Sequence, residues 1–586
     1  MPTPTSEGVA AVAPEVPSGL PDAATIARWA NEFFSVVGSP PLPGASPPGI
    51  PGSIAPPPGS TSLPAPNPMP ASTSLPGRTS AVGPASIAGP PPLPVSPDDP
   101  LGILTSSLAR LSSADLVHPA IPPTSPLDPV PARQLGSAGS PLNGGASSFY
   151  FLEHAAPAHA HTSSPTNVSR HPAFDVDTIR RDFPILQERI HGRPLVWFDN
   201  AATTQKPSAV IDRLSHFYRH ENSNIHRAAH ELAARATDAY EGARRQVQQF
   251  LGAASANEIV FVRGATEAIN LVAQSWGRKN IGDGDEILIS HLEHHANIVP
   301  WQLLAAERGA KLKVVPVDSQ GQLRLDELQR LLNSRTKLVS ITHVSNALGT
   351  VTPIHEIVDL SHRAGACVLI DGAQSVSHIP INVRSFDADF FVLSGHKVFG
   401  PTGIGVLYGK SERLQDMPPW QGGGNMIEDV TFERSIFQPP PGRFEAGTGN
   451  IADAVGLGAA LEYLATIGMP NIEHYESELL TYATEKLAAV PGLSIVGNAQ
   501  HKASVLSFII DGVEPTAVGS ALNQEGIAVR AGHHCAQPIL RRFGHEATVR
   551  ASLAFYNTCA EVDLMAAVLQ RLAASSTRRS AGTRKS

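Results

Sequence analysis

The feature that most narrows what this chain can fold into is where its prolines fall. The first 170 residues hold 35 of the 53 prolines and no lysine, the first lysine being Lys206. Runs such as Ser39-Pro40-Pro41-Leu42-Pro43-Gly44 and Gly89-Pro90-Pro91-Pro92-Leu93-Pro94 can continue neither a helix nor a central strand. Proline lacks the amide donor, and its ring fixes φ. Bulky apolar residues are too sparse there to offset the entropy of ordering a backbone. A disordered Pro/Ala/Ser/Gly-rich extension is therefore expected over residues 1–170. Three apolar islands interrupt it. In residues 21–38, Ile26, Trp29, Ala30, Phe33 and Val37 share a helical face behind a capping Asp22; in residues 101–111, Leu101, Leu104, Leu108 and Leu111 form a stripe; the third is Phe149-Tyr150-Phe151-Leu152. Such islands are either residual hydrophobicity in a linker or, as three of them spaced in this background favour, docking motifs that fold in a partner's groove and gain avidity from sharing one flexible tether.

From about residue 174 the pattern changes to apolar runs of strand length alternating with helix-length segments. Strands are expected at 258–262, 286–290, 311–317, 338–344, 368–371 and 390–393, with helices between them at 267–275, 297–307, 325–332 and 355–364. That alternation predicts an α/β domain with a mainly parallel sheet covered on both faces. Right-handed crossovers would then line up the strand C-termini, and so the site, along one edge. Helices at 455–467 and 471–490 follow, then strands at 493–496 and 505–510, a helix at 516–523, strands at 527–530 and 548–553, and a helix at 560–574. They read as a smaller α+β domain. The expected organisation is a large domain at 171–440, a small one at 441–575, and a short basic flexible tail at 576–586.

The net charge of −8 gives no basic face for nucleic acid. Three cysteines, Cys367, Cys535 and Cys559, cannot frame a disulfide scaffold and fit a reducing compartment. No apolar run reaches membrane-spanning length, and the N-terminus lacks the basic and apolar regions of a secretory signal. A soluble, cytoplasmic protein is expected.

Two stretches carry the chemistry. Leu393-Ser394-Gly395-His396-Lys397-Val398-Phe399-Gly400 places a lysine after a buried strand beside small residues, which suits a Schiff base with pyridoxal phosphate. Arg530-Ala531-Gly532-His533-His534-Cys535-Ala536 places a cysteine in a Gly/His loop, which suits an exposed, activated thiolate. Asp371, ending a strand 26 residues before Lys397, either pairs with a protonated ring nitrogen or caps a turn. Gly264-Ala265-Thr266-Glu267 either holds a phosphate at a helix N-terminus or is an ordinary strand-to-helix turn. In Glu293-His294-His295, a histidine either lies flat on a ring or is structural. No cysteine or acidic cluster completes a metal site.

Together with His294-His295-Ala296-Asn297-Ile298-Val299-Pro300-Trp301 and Ile341-Thr342-His343-Val344-Ser345-Asn346, these stretches resemble the class V aminotransferase family of fold-type I pyridoxal-phosphate enzymes. Within it they are similar to the SufS-type cysteine desulfurases, over about residues 174–574. The compact loop around Cys535 resembles that branch rather than the IscS/NifS branch. The resemblance implies a seven-stranded sheet and a homodimer. It implies that Lys397 binds the cofactor and moves the substrate's Cα proton, that Asp371 holds the pyridine nitrogen, that Gln374 bonds the ring oxygen, and that His294 stacks on the ring. It gives the phosphate to Thr266, Ser394, His396 and the backbone of Ala265, with Thr448 reaching the neighbouring subunit's phosphate. Arg550, helped by Asn346, would grip the carboxylate of L-cysteine. Cys535 would take the sulfur as a persulfide while alanine leaves, for a SufE- or SufU-like acceptor. A selenocysteine lyase, a class V aminotransferase and a scaffold with vestigial catalysis are the competing readings. Residues 1–170 resemble the cargo-loading region of desulfurases packaged in family 2 encapsulin shells.

Overall fold

The computed structural model describes residues 174–226 and 229–583. The expectations for residues 1–170 lie outside them. A sheet of seven strands forms the centre: β1 (Ile259–Val262), β2 (Glu286–Ser290), β3 (Lys311–Val315), β4 (Thr336–Thr342), β5 (Cys367–Asp371), β6 (Phe390–Ser394) and β7 (Gly405–Gly409). The spatial order is β1-β7-β6-β5-β4-β2-β3. All neighbours pair in parallel except β7, which is antiparallel to both β1 and β6. The mainly parallel sheet expected from the alternation is therefore present, and β2 falls at the residues expected. β1, β2, β5, β6 and β7 are buried at every position, as strands covered on both faces must be. Only the edge strand β3 is largely open, and Lys311 and Lys313 on it guard its free edge against pairing.

Helices α1 (Ser208–His220) and α2 (Glu231–Leu251) lie in a stretch the alternation does not cover. Next come α3 (Ala265–Val272), α4 (Val299–Arg308), α5 (Leu325–Leu331), α6 (Ile354–Arg363), α7 (Ile451–Ile467), α8 (Met469–Ala488), α9 (Pro515–Gln524) and α10 (Cys559–Thr583). α7 packs against α1 and α2 within the large lobe's core, not in the small domain where a boundary at 441 would put it. It is buried over most of its first three turns, where it is mainly apolar, while Glu462, Ala465 and Thr466 near its end are exposed. No single described helix is long and apolar enough to cross a membrane; α7 and α8 meet that test only as a pair bent by 75°. α10 continues past residue 574 to Thr583, so most of the stretch expected as a flexible tail is helical.

The small lobe holds β8 (Leu493–Val496), β9 (Val505–Ile510), β10 (Arg530–Gly532) and β11 (Thr548–Ser552), in the antiparallel order β8-β9-β11-β10. The run expected as one strand at 527–530 divides. Ile527–Ala528 pairs in parallel with Val196–Trp197, while Arg530–Gly532 pairs with β11. The early segment Val196–Phe198 thus belongs to the small lobe's core, and it delivers Asp199 to the seam between the lobes.

Gly405 lets β7 pass close to the head of α3. A Cβ there would sit 2.5 Å from Gly264 Cα, 2.5 Å from Leu393 O and 2.9 Å from Gly264 N, all backbone atoms. We expect Gly405→Ala to cost about 2–3 kcal/mol in a denaturant titration of the cofactor-free chain, because none of those atoms can rotate away.

Candidate active site

β6 delivers its last residue, Ser394, to the C-terminal edge of the sheet, where Gly395–Lys397 closes as one 3-10 turn. Gly395 is required there: a Cβ would lie 2.8 Å from Ile404 Cγ2 and 3.0 Å from the Ile404 carbonyl. The His396 carbonyl fastens the turn, accepting from Thr203 Oγ1 (2.9 Å), Thr204 N (3.0 Å) and Lys206 Nζ (3.3 Å). Lys397 then faces a cavity of about 270 Å³. Burial pushes its amine down to about 8, against the pull of Asp371 and with a further push from the Arg550 charge. An amine lowered this far is a nucleophile at ordinary pH.

Asp371 ends β5 on the same cavity, in register with Thr342 on β4. Its Oδ1 accepts from Ala373 N at 2.9 Å, and burial raises its pKa. Gln374 lies one turn on, with Nε2 donating to the Ala201 carbonyl at 2.6 Å. His294 caps a short turn after β2, its Nδ1 accepting from Ala296 N at 3.0 Å. That bond puts the proton of the neutral ring on Nε2. Burial, Lys397 and His295 push its pKa down to about 3, so the ring is uncharged. Ala265, Thr266, Ser394 and His396 gather at the head of α3, where the Ala265 amide donates to Ser394 Oγ at 2.9 Å.

The third side of the cavity comes from the small lobe. Arg550 on β11 is 2% exposed. Its Nη1 donates to the Asn346 carbonyl (2.9 Å) and its Nη2 to Asp199 Oδ1 (3.2 Å), while Nε has no partner. Burial pushes it down to about 10, which Asp199 resists. Arg530 grips the same carboxylate from the solvent side, with Nη2 to Asp199 Oδ2 at 2.9 Å. The Asn346 side-chain amide is already engaged, donating to the His534 carbonyl at 2.7 Å, which leaves its Oδ1 unpartnered. Cys535 lines the cavity on a loop where both His534 (φ 54°) and Cys535 (φ 53°) are left-handed. Two such non-glycine residues in succession are strained. The loop is held there by His295 N donating to Cys535 O (2.9 Å), Cys535 N donating to His533 Nδ1 (3.1 Å), and the His534 Nε2–Thr548 Oγ1 bond (2.8 Å). Cys367 is buried inside β5 and Cys559 is exposed at the start of α10, both away from the cavity.

The fold therefore brings Lys397, Cys535, His294, Ala265, Thr266, Asp371, Gln374, Ser394, His396, Arg550 and Asn346 to one cavity. Thr448 does not join them. It is exposed and lines a separate cavity of about 470 Å³ with Tyr240, Phe261 and Trp420. Sequence reasoning passed over Asp199, Arg530 and Thr342. Asp199 had one signal, a carboxylate just after a strand, but the arginines it serves lie more than 300 residues away in the chain. Asp199→Asn keeps the shape and removes the charge facing two guanidiniums. We expect it to raise KM for a carboxylate-bearing substrate about tenfold, about 1.4 kcal/mol, with a smaller change in kcat. Steady-state kinetics on the loaded protein checks this.

A buried amine at a strand end, a buried carboxyl opposite it, a neutral imidazole and a helix N-terminus edged with hydroxyls together suit pyridoxal phosphate. They supply a carbonyl partner, a ring-nitrogen partner, a flat surface and phosphate donors. Fold and site define a fold-type I pyridoxal-phosphate enzyme. The family model described as aminotransferase class-V matches residues 196–565. A cysteine desulfurase of Synechococcus elongatus is 63% identical over 465 residues, covering 76% of this chain and 74% of its own length. Probable cysteine desulfurase 1 of Mycobacterium leprae is 66% identical over 400 residues, covering 68% of this chain and 66% of its own. The crystal structure of an Escherichia coli cysteine desulfurase in an S-sulfonic acid form superposes with a TM-score of 0.64 at 40% identity, covering 68% of this chain and 98% of its own. The chain belongs to the class V aminotransferase family, and within it to the cysteine desulfurases.

Proposed function

We propose that this chain takes the sulfur of L-cysteine onto Cys535 and releases L-alanine, in the manner of the SufS-type enzymes. The observation that carries the reading is that Lys397 from the large lobe, and Arg550 and the Cys535 loop from the small lobe, line one cavity of about 270 Å³. Bound pyridoxal phosphate would supply the electron sink that makes the substrate's Cα proton removable. Lys397, uncharged once its covalent partner is displaced, accepts that proton and returns one to the departing carbon fragment. Arg550 offers its free Nε to the substrate carboxylate, and Asn346 and Asp199 keep its fork aimed. The Cys535 thiolate attacks the substrate sulfur: the S–S bond forms, the C–S bond breaks, and that electron pair leaves with the carbon that becomes the alanine methyl. The step needs no outside oxidant.

Thr448 supports a homodimer in which each protomer's exposed Gly447-Thr448 turn completes its partner's phosphate site. Residues 171–440 and 441–575 act as the two catalytic domains, with α7 serving the first. Residues 1–170 act as a cargo-loading region for a family 2 encapsulin shell in the cytoplasm. The three apolar islands support that role. The sulfur goes to a SufE- or SufU-like acceptor for iron–sulfur assembly, or is stored within the shell.

The test is the full chain loaded with pyridoxal phosphate and given L-cysteine and a thiol reductant. Alanine and sulfide should appear in equal amounts; alanine without sulfide, or transamination to a keto acid, would sink the reading. For the extension, a shell protein co-expressed with the full chain and with residues 171–586 should retain only the former.

A further inference from the structure

One residue before the His294 ring sits a carboxyl group with no evident duty. Glu293 is 0% exposed. Its Oε1 pairs with Ser290 Oγ at 2.5 Å, and its Oε2 accepts from Asn297 Nδ2 at 2.5 Å. Asn297 is oriented in turn, its Oδ1 accepting from Trp301 Nε1 (2.9 Å) and Ser340 Oγ (2.6 Å). Among the described residues no lysine, arginine or histidine pairs with Glu293, whereas the buried carboxylates Asp199, Asp389 and Glu561 each face a cation. The charged group that does bear on it is another carboxyl, Asp371. Holding an ionised carboxylate dry without a cation is costly, so such a group tends to take up a proton instead, and a second buried negative charge nearby adds to the cost.

We propose that Glu293 is a positioning residue, held as an uncharged carboxylic acid. It knits β2, β4 and α4 into the floor beneath the His294 turn and leaves Asp371 as the single negative charge on that floor. The hydrogen bonds then have a direction. Glu293 Oε2, which accepts from Asn297 Nδ2, is the carbonyl oxygen, and the proton sits on Oε1, at hydrogen-bond distance from Ser290 Oγ. Burial pushes the Glu293 pKa up to about 8, with Ser290, Asn297 and the Thr342 backbone opposing the rise and Asp371 adding to it. A neutral floor matters to the proposed reaction because a second negative charge near Asp371 would compete for the cofactor's ring proton.

The proposal rests on the pyridoxal-phosphate reading for its purpose, though not for its first test. In the full chain without cofactor at pH 7, infrared difference spectra against Glu293→Gln should show the loss of one protonated-carboxyl carbonyl band. Loss of a carboxylate band instead would overturn the proposal whether or not the cofactor binds. In the loaded chain, Glu293→Gln should move the pH midpoint of the bound cofactor's absorbance by less than about 0.3, because no charge has been removed. A shift of a unit or more would mean that the wild-type group is ionised. Glu293→Ala should weaken the visible circular dichroism of the bound cofactor while Glu293→Gln retains it. An unchanged signal in the alanine variant would remove the positioning role.

Discussion

Lys397→Ala is expected to purify without a covalent chromophore, to lose added pyridoxal phosphate on dialysis, and to desulfurate L-cysteine at least about 10³-fold more slowly. The variant removes the nucleophile that carries the cofactor and the base that moves the Cα proton, and each role alone is worth about two to four orders of magnitude. The lowered amine adds a pH signature in the wild type. Only the uncharged amine can add to the cofactor's carbonyl, and its fraction rises tenfold per pH unit below about 8. Cofactor uptake by the stripped protein should follow that slope and level off above pH 8, as read from growth of the visible absorbance. A rate independent of pH between 6.5 and 8, or a Lys397→Ala protein that keeps its colour through dialysis, would count against this site.

The same amine sets a stability trend in the cofactor-free chain. Burial holds Lys206, Lys397 and Lys502 each at about 8 against an ordinary 10.5. The unfolded chain therefore keeps protons that the folded chain has lost between about pH 8 and 10.5, so stability rises with pH across that window. Below pH 8 all three burial penalties are felt in full. Lys397→Ala removes one of the three and should flatten the rise in denaturant midpoint between pH 8 and 10.

What the sequence could disclose follows from how local each signal is. β2, β8 and β9 appear at the residues expected because an apolar run bounded by turn residues announces itself within its own length. β7 went unread because Gly405-Val406-Leu407-Tyr408-Gly409 is short, flanked by glycines, and reached by a tight return from β6, which breaks the strand–helix alternation. The sequence places α7 in the small domain because it opens the helical stretch beyond residue 441, and nothing local says that its partners are α1 and α2. The site shows the same division. Lys397, Asp371 and His294 each close a strand or open a turn, so position in the pattern marks them. Asp199 matters only through Arg530 and Arg550, contacts made by folding across the whole chain. Asn346 lay in a recognisable stretch, yet only the coordinates reveal that its amide already braces the Cys535 loop.

That loop governs the second large expectation. Cys535→Ala should bind the cofactor as the wild type does and yet release sulfide from L-cysteine at least about 10³-fold more slowly. None of the bonds that shape the loop passes through the Cys535 thiol: His295 N to Cys535 O, Cys535 N to His533 Nδ1, Asn346 Nδ2 to His534 O, and His534 Nε2 with Thr548 Oγ1. An alanine makes the same bonds and accepts the same left-handed φ no worse than a cysteine does, so the fold should change by no more than about 0.5 kcal/mol. The loss is then chemical, since among the described residues lining the cavity Cys535 carries the one thiol. Alkylation of wild-type protein after substrate should reveal an added sulfur on Cys535, absent from the variant. Selenocysteine separates the two closest functions. Its C–Se bond is weaker and its selenolate leaves unaided, so elimination can proceed without a thiol to receive the atom. If Cys535→Ala loses activity on cysteine but keeps it on selenocysteine, Cys535 is the sulfur acceptor of a desulfurase. If it keeps both, sulfur leaves by a route that does not pass through this loop, and the strain held at His534 and Cys535 would have no part in the chemistry.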